Sequence, residues 1–328
     1  MTSFRGNLFR IAFGTYNYFG WKSKKSFVER IRKLSAKGIN DLCPKGFEII
    51  KETTASGTPY ERVVKVGAPT NGRAIYFCHG GGYIVGLLFF YRMLATDFFE
   101  ASGGGELILL DYSCAPEHKF PTQHDEALDL WRELTERLGY SPENIILGGD
   151  SAGANLALSL MQRLRDEGGP MPKAAFCISA WADTTGSGKS IVDNSPRDVM
   201  FGTFGKKLTE EQRLKNLDGE LYSFVGDADR HHPYVSPVFG EYCGFPPMFF
   251  TVGGDEILLD DTMRIVEKLE NEGIFVEYDV QPKMFHIYTL FGNLFPESNV
   301  SYQKLLKFIS DRFSNRSEIN ENKKAVRN

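Results

Sequence analysis

The 328-residue chain is 42% hydrophobic and 24% charged with a net charge of −4, the composition of a globular protein with a large core. No run of about 18 or more apolar residues is present, which argues against a membrane-spanning helix. The five cysteines, Cys43, Cys78, Cys114, Cys177 and Cys243, are scattered and form no C-x-x-C pair, so neither a zinc site nor a disulfide framework is expected.

The start, MTSFRGNLFR, lacks the basic, then apolar, then small-residue pattern of a secretory signal, and a cytoplasmic location is expected. Residues 1–40 hold nine Lys/Arg against one acid, Glu29, and eight aromatic side chains from Phe4 to Phe27. Such a segment can rest weakly on an anionic membrane surface, or form a helical cap whose aromatics face a pocket. The cap is the preferred reading, with a boundary near residue 55.

From residue 60 strand-like and helix-like stretches alternate. ERVVKV (61–66) alternates as a half-exposed strand does. AIYFC (74–78), ELILL (106–110), NIILG (144–148), AAFCI (174–178), MFFTV (248–252) and FVEYDV (275–280) read as strands buried on both faces. Between them, Ala127, Trp131, Leu134 and Leu138 recur at helical steps before Gly139, as do Met263, Val266 and Leu269 before Gly273 and, farther on, Leu305, Ile309 and Phe313. The alternation predicts an α/β fold with a mostly parallel sheet covered by helices on both faces, a catalytic domain over residues 56–314. Residues 183–229 are long, polar and irregular, the pattern of a lid or pocket wall contributing to the cap. Residues 315–328 have almost no apolar content and read as a disordered tail.

ILGGDSAGANLA, Ile146 to Ala157, places G-D-S-A-G at a strand–helix junction, the setting a nucleophile elbow needs. Gly149 and Gly153 permit the sharp turn, and Ser151 stands at its tip beside the N–H groups of a helix start. The base and its orienting acid follow such a serine in the chain. Of the downstream histidines, His231 and His232 sit in the irregular region, whereas His286 lies just past the last strand. Asp255, released by Gly253 and Gly254 after MFFTV, is the expected acid, and its neighbour Glu256 is second choice. Asp260 and Asp261 read as caps of the following helix.

The three glycines of FCHGGGYIVG then have a purpose. Acyl transfer passes through a tetrahedral oxyanion that needs preorganised N–H donors. Gly81 and Gly82, with Ala152, are assigned to that hole; Gly80 serves the turn and His79 holds the loop's shape.

HGGGY, DYSCAPEHKFP, GGDSAGANLA, PYVSPV, PPMFFTVGGDEILLDD and the FH of MFHIYTLF follow one another over about residues 70–310. In this the chain resembles the hormone-sensitive-lipase-like esterases, bacterial family IV of the α/β-hydrolases. The resemblance implies an eight-stranded sheet with an N-terminal helical cap and a Ser151–Asp255–His286 triad. It also implies an acyl-enzyme route for short- to medium-chain esters, acetyl esters or lactones without cofactor or metal. A small-molecule ester is thus the expected partner, with no nucleic acid, in a monomer or homodimer. Ser113 and Cys114 stand where the family usually has Arg-Leu, a departure that bears on loop packing; Asp111, Glu117 and His118 of the same loop read as polar structural groups.

Three other readings compete. DTTGSGKS (183–190) nearly spells a P-loop but carries Asp183 where the first glycine belongs. SGGGEL (102–107) precedes a strand and is no dinucleotide fingerprint. The stronger rival is a non-catalytic small-molecule binding protein on the same fold.

Overall fold

A computed structural model describes residues 2–22, 32, 42–203 and 205–314, with only the backbone of 18–22. The tail assigned to 315–328 lies outside the described residues, as does much of the basic segment. Eight strands form one sheet in the order β1-β2-β4-β3-β5-β6-β7-β8. They are β1 (Phe47–Thr53), β2 (Pro59–Lys65), β3 (Ala74–Cys78), β4 (Glu106–Leu110), β5 (Ile145–Asp150), β6 (Ala174–Ile178), β7 (Met248–Gly253) and β8 (Val276–Gln281). β2 pairs antiparallel with both β1 and β4; every other pairing is parallel.

Side-chain alternation explains the two-sided core. In β3, Ile75 and Phe77 enter one apolar layer with Phe176, Phe249 and Phe308, while Tyr76 and Cys78 enter the other with Leu147, Trp131 and Phe250. Such strands are apolar on both faces because helices cover both. The helices are α1 (Phe4–Lys22), α2 (Ala95–Ser102), α3 (Thr122–Arg132), α4 (Ala152–Asp166), α5 (Leu259–Asn271) and α6 (Pro296–Phe313), with shorter turns between them. None of the described helices is long and apolar enough to cross a membrane.

Three expectations need correction. The cap segment does not run to residue 55, because Phe47–Thr53 is the outermost strand of the sheet. β8, read as buried on both faces, is the opposite edge and leaves Glu277 and Tyr278 in solvent. Asp260 and Asp261 do not cap α5, which starts at Leu259 without a side-chain cap. They hold the irregular region instead: Asp260 accepts the Ser190 N–H at 3.0 Å and Asp261 the Ala182 and Asp183 N–H groups at 2.9 Å. Within that region lie the short helices Ser190–Asp193 and Glu210–Asn216.

Candidate active site

The parallel strands deliver the candidate residues to one place, the edge of the sheet where their carboxyl ends emerge. Ser151 follows β5 directly and has φ 54° and ψ −120°, a conformation that costs an L residue energy. The turn is held by the Ser151 N–H donating to Ile178 O at 2.9 Å. A Cβ on Gly153 would strike the carbonyls of Cys78 and His79, so only glycine lets α4 start this close to β3. Among the described residues, Tyr83, Ser151, Ser179, Lys283 and Ile287 are the non-glycine residues with positive φ. All but Lys283 border this site.

The serine hydroxyl donates to His286 Nε2 at 2.9 Å, and His286 Nδ1–H donates to Glu256 Oε2 at 2.8 Å. Ser151 is 8% exposed, His286 3% and Glu256 0%, so the relay runs through protein rather than water. A buried carboxylate in line with the imidazole fixes the tautomer that leaves Nε2 free to accept.

The acid partner differs from the one expected. Asp255 does not meet His286: its Oδ2 takes Arg10 at 2.6 Å and its Oδ1 takes Arg197 at 3.3 Å. The cause is the tight turn after β7, closed by the Glu256 N–H on Gly253 O at 3.1 Å. Neighbouring side chains leave that turn on opposite sides, Glu256 towards the histidine and Asp255 towards the cap. The remaining Glu256 oxygen accepts the Gly253 N–H and the Ser179 hydroxyl, the latter at 2.8 Å.

Ser179 had no motif to announce it. It follows β6 with φ 49°, and its Oγ also accepts the Ile287 N–H at 2.9 Å. One buried hydroxyl therefore ties the acid to the loop that carries the base.

The glycine loop is anchored on Asp150. Its carboxylate accepts the Gly80 N–H at 2.8 Å and the Tyr91 hydroxyl at 3.1 Å, and burial pushes its pKa up to about 6. Gly80 thus spends its N–H on the anchor. Gly81 has φ 116° and Gly82 φ 63°, and no hydrogen bond among the described residues takes either N–H or that of Ala152. His79 packs flat on Tyr112, with ring centroids 4.1 Å apart, and donates Nδ1–H to Gly80 O at 2.7 Å. Burial lowers its pKa to about 4, which leaves a neutral ring that shapes the loop.

The other sequence features fall into place around this centre. Ser113 donates its N–H to Glu126 at 2.7 Å and Gln123 donates to Ser113 O at 2.8 Å, so the loop with the unusual Ser-Cys pair is firmly held. The P-loop-like DTTGSGKS wraps its own Asp183, whose carboxylate accepts the Thr185 and Ser187 N–H groups and the Arg264 guanidinium. The place a phosphate would need is filled by the chain itself. His231 is exposed, and neither it nor His232 lies near Ser151 by any described contact. No group of three or more metal-ligating side chains occurs among the described residues.

Residues 75–290 match the family described as alpha/beta hydrolase fold. This chain belongs to that family. It is 33% identical over 250 residues to an acetyl-hydrolase of Streptomyces hygroscopicus, covering 74% of this chain and 79% of the relative. It is 32% identical over 234 residues to an esterase of Acinetobacter venetianus, covering 71% and 73%. Among solved structures, a hormone-sensitive lipase from a metagenome library superposes with a TM-score of 0.80 at 27% identity, covering 96% of this chain and all of the other. Within the α/β-hydrolases the chain is a serine-esterase-type hydrolase of the hormone-sensitive-lipase-like group.

Proposed function

We propose that the chain hydrolyses short- to medium-chain acyl esters, acetyl esters and lactones included, through Ser151, His286 and Glu256. The observation that carries this reading is the unbroken, buried hydrogen-bond relay from Ser151 Oγ through the imidazole to Glu256. His286 Nε2 takes the hydroxyl proton as Oγ attacks the ester carbonyl. The N–H groups of Gly81, Gly82 and Ala152 receive the oxyanion, and each such donor is worth about 10²–10³ in rate. Collapse expels the alcohol, protonated by His286, and leaves an acyl group on Ser151. Water then attacks the acyl carbon, giving a proton to His286, and the acid leaves as the serine regains its proton.

Glu256, hydrogen-bonded to His286 Nδ1, stabilises the imidazolium. An apolar acyl or alcohol pocket suits the aromatic surroundings: the Phe201 ring lies 4.9 Å from the His286 ring, edge to face. The binding-protein alternative would not need an intact relay.

The test is hydrolysis of p-nitrophenyl esters from acetate to laurate by wild type and by Ser151→Ala, with a phosphonate ester as a covalent label. Activity peaking at short or medium chains, lost in the variant, with one adduct on Ser151, supports the proposal. No turnover and no adduct would move the binding reading ahead.

A further inference from the structure

Helix α1 buries one face and exposes another that also carries large apolar side chains. Gly6 and Asn17 are buried beneath it, and Phe9 and Phe13 pack on Phe285, Phe291 and Phe295. On the opposite side Phe4 is 82% exposed, Leu8 55% and Ile11 66%. These three recur at steps of four and three and so form one stripe along the helix. Single exposed apolar residues are ordinary, but a stripe in register on the solvent side of a helix marks a contact surface.

Charge narrows the occupant. No acidic residue occurs anywhere in Phe4–Lys22, and Arg5 lies exposed beside the stripe. Residues 1–40 as a whole carry nine basic side chains and one acidic. A second copy seated on this face by a two-fold axis would set one acid-free helix, with its exposed Arg5, against another. An anionic lipid surface offers an apolar layer and opposite charge together.

We propose that the outer face of α1 docks on anionic membranes, with Phe4, Leu8 and Ile11 entering the headgroup boundary. The docked element is the one whose inner face meets the acid turn through Arg10 and Asp255, so the cap and the lipid contact are two sides of one helix. If the ester-hydrolase reading holds, docking brings the enzyme to bilayer-dissolved esters and leaves hydrolysis of soluble ones unaltered.

The test sediments the full-length protein with phosphatidylglycerol–phosphatidylcholine vesicles and with phosphatidylcholine vesicles, at low and high salt. Wild type is compared with a Phe4→Ser, Leu8→Ser, Ile11→Ser triple variant and with Arg5→Glu. Expected is about tenfold stronger partition onto the anionic vesicles, weakened by salt. The triple variant should lose that partition about tenfold while hydrolysing a soluble p-nitrophenyl ester at the wild-type rate. Arg5→Glu, which keeps the stripe, should lose it severalfold and decides the matter if the triple variant does not melt cooperatively. Equal partition onto neutral vesicles, or partition unchanged by either substitution, overturns the proposal. So does a wild-type dimer, seen by light scattering, that the triple variant converts to a monomer. Hydrolysis that is absent in all proteins while partition persists would count against the ester reading alone.

Discussion

The two sides of the relay are built differently. On the serine side, Ser151, Gly81, Gly82 and Ala152 are placed by backbone: a strained elbow, a glycine loop and a helix start, pinned by buried Asp150 and backed by strands without exposed residues. On the acid side, Glu256 and His286 are placed by side-chain hydrogen bonds, through Ser179, and by a turn whose outer residue, Asp255, is tied to the cap by Arg10 and Arg197. A site fixed by backbone leaves a spacing motif in the sequence. One fixed by side chains leaves only single residues, and neighbours of similar chemistry become indistinguishable.

The largest expected effect lies on the backbone side. Ser151→Ala should lower kcat by on the order of 10⁵–10⁶, the loss seen when a triad nucleophile is removed, and single-turnover assays with an activated ester will measure it. Gly81→Ala comes next. It adds a side chain at φ 116°, against Val85, and should cost about 10²–10³ in kcat with no loss of nucleophile labelling.

Ser179→Ala probes the side-chain side. The alanine leaves Glu256 one donor short and the Ile287 N–H without its acceptor, so kcat should fall about tenfold to a hundredfold while KM stays nearly constant, since Ser179 touches no substrate. A shift in KM alone would place Ser179 in the binding pocket instead.

The smallest effect concerns stability. Burial raises the Asp150 pKa from 3.8 to about 6, so the folded state holds this proton more tightly than the unfolded chain does. The stabilisation is complete below the unfolded pKa and is lost as pH rises through the folded one. Relative to Asp150→Asn, which has no proton to lose, wild type should therefore lose about 2 kcal/mol between pH 4 and pH 7. Urea denaturation of both proteins across that range reads the difference; a constant gap would show that Asp150 does not titrate there.

Much of the fold was legible because it rests on local patterns. AIYFC, ELILL and AAFCI coincide with β3, β4 and β6, since a strand buried on both faces has to be an unbroken apolar run. β1 escaped because FEIIKET is a half-exposed edge strand, without that run and next to the basic segment. Asp255 and Glu256 follow the same glycines and look alike in the sequence; only the closed Gly253–Glu256 turn decides which carboxylate faces inward. Ser179 was invisible because a lone serine after a strand carries no pattern. The outward stripe of α1 was hidden among so many aromatics that no single apolar face stood out.

The central claim is that Glu256, and not Asp255, supports the imidazole. Steady-state kinetics of Glu256→Gln and Asp255→Asn on one p-nitrophenyl ester test it most directly. Glu256→Gln should lower kcat by about 10³–10⁴, because the amide imposes the wrong tautomer on His286, while Asp255→Asn should stay within about tenfold of wild type. The reverse order, with Asp255→Asn the inactive enzyme, would contradict the relay described here.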